Sequence, residues 1–294
     1  MAHPARRPLV AGNWKMHHDH LQAIRVVSEL GARLTADTVA RVEVSVHPAF
    51  TALRSVQTVV EDRALPVVLG AQHCAPVDSG AFTGEVSPAM LARLGVRYVL
   101  VGHSERRRLF GQDDTVVAAT AAAVCRHGMV PVLCVGETEE ERDAGRTAER
   151  LTAQVGAGLA ELVRTGLPGA APSGTTGSSG GVARTNDTAP VASLVVAYEP
   201  VWAIGSGATP SAEDVQEASA TVRGALADVL GEQVAAAVRV LYGGSVTAAN
   251  TGELLHGPDV DGVLVGGASL QAESFAAIAA AAAAAALAAT GRRR

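Results

Sequence analysis

Short apolar runs rich in β-branched residues recur at eight places along the chain: "PLVAGN", "VEVSVHP", "PVVLGAQ", "YVLVGH", "VPVLCVGE", "LVVAYEP", "RVLYGG" and "DGVLVGG". Their continuous, non-alternating character predicts strands covered on both faces, as in a parallel sheet. Between them, apolar positions take helical spacing at residues 19–34, 51–61, 88–94, 115–127, 138–164, 211–230, 248–255 and 271–289. Strands alternating with helices in this way predict an α/β protein, a closed parallel (β/α)8 barrel, as one domain over residues 1–294. An open doubly wound sheet is the alternative, and it would leave the polar strand ends without a common mouth.

One segment breaks the rhythm. Residues 167–190, "LPGAAPSGTTGSSGGVARTNDTAP", hold almost nothing apolar to bury, and they predict a flexible insertion between the fifth helix and the sixth strand, away from the catalytic face. A cut there would split the barrel, so it is not read as a domain boundary. Residues 276–289 are an Ala-rich run expected to form a helix and to be too short to span a bilayer, followed by a basic tail at 292–294.

Composition narrows the class. At 294 residues and 48% hydrophobic, the chain can bury a large core, but with 3% aromatic residues that core must be built from Ala, Val and Leu. A net charge of −5 and the lack of a basic stripe argue against a nucleic-acid partner. Neither a signal-like run at the N-terminus nor a membrane span is expected. Cys74, Cys125 and Cys134 are far apart without metal-type spacing, which fits reduced thiols in the cytoplasm and no bound metal.

In a barrel of this kind every strand aims its C-terminal end at one face. Asn13 and Lys15 then follow the first strand, His103 and Glu105 the fourth, Glu137 the fifth, Glu199 the sixth, Ser245 the seventh, and Gly266 with Gly267 the eighth. Taken singly, each has an ordinary explanation: a solvated strand-end carboxylate, a structural histidine, a salt-bridged lysine, glycines in tight turns. Together they form a site. Pro200 holds Glu199 on extended backbone, a rigid mount for a base in an apolar mouth. His103 precedes a short helix expected to start at Ser104, and a helix N-terminus favours a neutral imidazole that donates a hydrogen bond. Glycine-containing turns, "AIGSG", "YGGS" and "VGGAS", beside Lys15 suit a phosphate. This set fits proton abstraction next to a carbonyl on a small phosphorylated substrate. With no dinucleotide fingerprint or metal cluster in the sequence, no cofactor is expected.

The blocks "AGNWKM", "GAFTGE", "VGHSERR", "CVGE", "AYEPVWAIG", "YGGS" and "LVGGASL" stand in an order that resembles the triosephosphate isomerase family over about residues 7–280, apart from the insertion. The resemblance implies interconversion of dihydroxyacetone phosphate and D-glyceraldehyde 3-phosphate in glycolysis and gluconeogenesis. A four-carbon ketose-phosphate isomerase and a catalytically silent binding barrel are the rival readings. It further implies Glu199 as base, His103 as electrophile, Lys15 as electrostatic stabiliser and Asn13 as a substrate contact. Gly205, Ser245, Gly266 and Gly267 match phosphate-binding positions, Glu105 the partner of the lysine, and Cys134 the buried cysteine near the base. Residues 200–207 match a closing lid, which Tyr242 and Ser245 would hold shut. Thr83, within residues 75–87, matches a position that enters a neighbour's site, implying a homodimer. The chain departs from the family in a lid hinge about two residues short before Thr209, in His73 where Asn is usual, and in the insertion.

Overall fold

Every apolar run becomes a strand in the computed structural model, which describes residues 6–165, 194–204 and 209–291. The strands are β1 (Leu9–Asn13), β2 (Glu43–His47), β3 (Val68–Ala71), β4 (Tyr98–Val101), β5 (Val130–Val135), β6 (Val195–Tyr198), β7 (Arg239–Gly244) and β8 (Gly262–Val265). All pairings are parallel and follow chain order, and β8 closes on β1 through Leu9 opposite Gly262 and Gly12 opposite Val265. The insertion expected at 167–190, Gly205 with the hinge residues before Thr209, and the tail at 292–294 lie outside the described residues.

Alternation along each strand builds two cores. Leu9, Ala11, Tyr98, Leu100, Val132, Cys134, Val195, Ala197, Leu241 and Leu264 fill the barrel interior. The intervening residues, such as Val10, Val46, Val99, Leu133 and Val196, pack outward against the helices. Few large rings are available, so the fully buried Trp14, Tyr98, Tyr242 and Phe275 are placed singly among Leu, Val and Ala.

The helices are α1 (His20–Arg33), α2 (Ala36–Arg41), α3 (Phe50–Asp62), α4 (Pro88–Arg93), α5 (Ser104–Phe110), α6 (Asp114–Arg126), α7 (Glu139–Asp143), α8 (Thr147–Thr165), α9 (Ala212–Leu230), α10 (Glu232–Ala237), α11 (Ala248–Leu254) and α12 (Ala272–Gly291). The single helix expected at 138–164 is two, α7 and α8, because Gly145 takes a φ of 68° between them. Gly231, at φ 82°, likewise separates α10 from α9.

The C-terminal helix corrects the length argument made from the sequence. α12 runs for 20 residues, and Ala272–Ala289 is long and apolar enough to cross a membrane by length and composition. Its Phe275, Ile278, Ala279 and Ala282 are fully buried, and the helix packs on α1, α11 and β1. It is the last helix of the barrel wall.

The first residues of β2, β4 and β7 close the floor. Arg239 Nη1 pairs with Glu43 Oε2 at 2.7 Å, and Tyr98 donates to the same oxygen at 2.8 Å. Arg239 also donates to the Tyr98 hydroxyl at 2.5 Å. Burial opposes ionisation of Glu43, yet the Arg239 charge and hydrogen bond hold its carboxyl below the usual range. Arg239→Met would leave that carboxylate buried without its cation. We expect a loss of about 3–5 kcal/mol in unfolding free energy, read by urea denaturation at pH 7. A loss below about 1 kcal/mol would mean the pair behaves as a solvated one.

Candidate active site

β6 is apolar to its last residue, and the ladder to β5 continues one step further, with Glu199 N–H donating to the Val135 carbonyl at 2.7 Å. The side chain of Glu199 therefore leaves from a strand, at a point where glycines make room. A Cβ at Gly136 would fall on the Glu199 carbonyl, and one at Gly243 would lie 2.9 Å from its Cγ. Glu199 is 3% exposed. Its Oε2 accepts from the Ser104 backbone N–H at 3.1 Å, and its Oε1 lies 3.1 Å from His103 Nε2.

His103 is the N-cap of α5, the short helix expected to start at Ser104. Its Nδ1 accepts from the Glu105 N–H at 3.2 Å, so that nitrogen carries no proton and Nε2 is the donor facing Glu199. The next residue of α5 secures the lysine, with Lys15 Nζ 2.6 Å from Glu105 Oε1. Half-burial opposes the Glu105 charge, but the Lys15 hydrogen bond holds its carboxyl below the usual range. Lys15 takes a φ of 49°, a conformation costly for a residue with a Cβ. Two contacts hold it there: its N–H donates to Asn13 Oδ1 at 3.0 Å, and its carbonyl accepts from Gln72 Nε2 at 2.9 Å.

Asn13, Lys15, His103, Glu199, Ser245, Gly266 and Gly267 line one cavity of about 400 Å³ at the C-terminal mouth. A Cβ at Gly266 would lie 3.6 Å from Lys15 Cε, so the lysine stem runs past the glycines after β8. Cys134 sits beneath, in the barrel interior, where burial first and then the Glu199 charge push its thiol well above the ordinary value. Tyr242 is buried under Gly244, and burial raises its hydroxyl to about 12. Thr83 is exposed on the loop after β3, and Gly205 lies outside the described residues. Among the described residues, no group of three or more His, Cys, Asp or Glu is placed to hold a metal ion.

Glu137, counted among the strand ends, turns away from this cavity. Its Oε1 accepts from Trp202 Nε1 at 2.7 Å and from Tyr198 at 3.1 Å, and the Arg142 guanidinium lies 3.8 Å from the Trp202 ring centroid. Burial raises the Glu137 carboxyl. The cluster ties the first turn after Pro200 to the loop after β5. A contributor missed in the sequence is His47. An imidazole at an inward position of an apolar strand is itself a signal, and so is Gly70 on the next strand, since a Cβ there would occupy the His47 ring. His47 packs beside Ser45 and the Ala71 carbonyl, and its own carbonyl accepts from Trp14 N–H and Gln72 Nε2 at the base of the Lys15 loop.

A carboxylate facing an N–H donor, with a fixed cation over a glycine-rimmed hollow at the mouth of a closed barrel, defines the class: a (β/α)8-barrel isomerase. The family model for triosephosphate isomerase matches residues 8–282. A triosephosphate isomerase of Mycobacteroides abscessus is 46% identical over 272 residues, 92% of this chain and 95% of that protein. One of Saccharopolyspora erythraea is 47% identical over 271 residues, with 92% and 95% covered. The crystal structure of triosephosphate isomerase from Bartonella henselae superposes with a TM-score of 0.75 at 32% identity, covering 94% of this chain and 98% of that one. The chain belongs to the triosephosphate isomerase family.

Burial of two histidines sets a pH dependence of stability. Burial pushes His47 from about 6.5 down to about 4, and burial with the nearby Arg106 charge does the same to His73 despite Glu85 Oε2 at 3.2 Å. The unfolded chain takes up these protons near pH 6.5 and the folded chain only near 4, so stability is present above 6.5 and is lost as pH falls through that window. For the fully buried His47 the loss is on the order of 3 kcal/mol. Urea midpoints measured between pH 7 and pH 4 should fall accordingly, and His47→Asn should flatten the slope. An unchanged slope in that variant would assign the effect to other groups.

Proposed function

We infer that the chain interconverts dihydroxyacetone phosphate and D-glyceraldehyde 3-phosphate through an enediolate, with Glu199 as base, His103 as hydrogen-bond donor and Lys15 as fixed positive charge. Family membership carries the reaction, and it gives no support to the four-carbon or binding-only readings of the sequence. The observation that carries the division of labour is the 3.1 Å approach of His103 Nε2 to Glu199 Oε1 inside the cavity that Lys15 lines.

Glu199 takes the proton from the carbon next to the carbonyl and returns it to the neighbouring carbon, while the hydroxyl proton of the first carbon moves to the former carbonyl oxygen. To reach carbon, its Oε2 leaves the Ser104 N–H, and His103 Nε2–H passes from the carboxylate to the substrate oxygen where charge develops. Lys15 offsets the added negative charge, and Asn13, which shapes the lysine loop, contacts substrate. Gly205, Ser245, Gly266 and Gly267 hold the phosphate, with backbone N–H groups that carry no side chain in the way at the glycines. Residues 200–207 form the lid, which the Trp202 to Glu137 bond anchors at one end and Tyr242 with Ser245 hold when closed. We take residues 1–294 as one barrel unit, cytoplasmic.

The working unit is a homodimer. Met16 is 94% exposed and Phe110 65%, and Phe82, Met90 and Leu109 are also exposed, all on loops and short helices after β1, β3 and β4. Apolar side chains so placed call for a cover, and the loop bearing Thr83 lies among them. Sedimentation should show a dimer at assay concentration; a fully active monomer would refute this.

A coupled assay with D-glyceraldehyde 3-phosphate tests the reaction. Glu199→Asp keeps the charge but retracts it by one methylene. We expect kcat to fall by about 10- to 100-fold with KM little changed, because a misplacement of about 1 Å is felt mainly in the transition state. Parental kcat in this variant would remove Glu199 from the base role.

A further inference from the structure

The loop from β1 to α1 contains a second residue in a left-handed conformation. His18 has a φ of 65°, three residues after the strained Lys15 and directly before Asp19, the N-cap of α1. Asp19 anchors this end of the loop by accepting from the Leu21 and Gln22 N–H groups at 2.9 and 2.8 Å. Neither the helix cap nor the catalytic geometry needs an imidazole at 18, and glycine would take this conformation with less strain.

The ring has two contacts. Its edge meets the fully buried Trp14 at a centroid distance of 5.2 Å and an interplanar angle of 86°. Its Nε2 lies 3.1 Å from the Leu270 carbonyl. A carbonyl only accepts, so Nε2 donates. Leu270 is the last residue of the single helical turn Gly267–Leu270, which follows Gly266. At the other end of that turn, the Ser269 N–H and hydroxyl both return to the Gly266 carbonyl, at 2.9 and 2.7 Å. The turn is thus bonded at its start from within and at its end by His18.

We propose that His18 is a positioning residue for the phosphate cradle: its bond to Leu270 braces the strained Lys15 loop against the turn bearing Gly266 and Gly267, so that cation and glycine N–H groups keep a fixed spacing. This rests on the reading that those glycines hold the substrate phosphate. His18 touches no substrate, and its effect reaches the phosphate through Leu270 and the lysine loop.

The test uses inorganic phosphate as a competitive probe, with substrate KM, kcat and thermal midpoint. His18→Leu keeps a side chain against Trp14 but removes the donor. It should raise KM and the phosphate inhibition constant by about three- to tenfold, the worth of one net hydrogen bond, with a smaller change in kcat. His18→Gly removes ring and strain together, so phosphate affinity should fall while the midpoint holds or rises. A merely structural role would move both the same way. His18→Gln, which retains a donor, should return to within about twofold of the parent. Parental phosphate affinity in His18→Leu, or affinity and midpoint falling together in His18→Gly, overturns the proposal. Absence of phosphate competition in the parent enzyme would instead overturn the cradle reading itself.

Discussion

A carboxyl group in a place as dry as that of Glu199 is tolerated only where hydrogen-bond donors meet it. Much of the mouth is arranged around that demand. The Ser104 N–H is available because α5 begins there and its first amides have no partner within the helix. His103 faces the same carboxylate because it caps that helix with its other nitrogen, which also fixes its tautomer. Gly136 and Gly243 lack side chains where the Glu199 backbone and stem pass. The same helix turn supplies Glu105, so the lysine is placed by the element that places the imidazole.

Much of this was legible in the chain because the physics behind it is local. The eight apolar runs end where polar or glycine residues begin, and a parallel barrel turns that punctuation into a shared mouth. What escaped depends on contacts between distant segments. The imidazole of His47 and the glycine at 70 are each visible in the chain, but that one fills the space of the other shows only once β2 and β3 lie side by side, and nothing near Glu137 shows that Trp202 and Tyr198, more than sixty positions later, will claim its oxygen. The break between α7 and α8 had a visible sign in Gly145, overridden by the helical pattern on either side. Length alone misjudged α12, since a poly-alanine wall helix and a membrane-crossing one share a composition and differ only in what the buried stripe meets.

Of the three left-handed non-glycine residues among the described ones, two lie in one loop and the third is Ala64. Lys15 and His18 both take left-handed backbone within four residues, and each is held by bonds to a different neighbour: Asn13 and Gln72 for the first, the Leu270 carbonyl for the second. A relaxed loop would let the lysine wander. Here Glu105 meets its ammonium at 2.6 Å, which leaves the charge with one address.

The floor of the barrel bears on the chemistry from the far side. Arg239, Glu43 and Tyr98 seal the N-terminal end, and the interior above them is packed with Leu, Val and Ala up to Cys134. Among the described residues the barrel is built as a well, open at the mouth and closed by that ion pair at its floor. On the proposed reaction, a proton taken up by Glu199 leaves by the mouth, and whether it returns to the substrate or is lost to solvent is a contest between chemistry and the time that mouth stays covered.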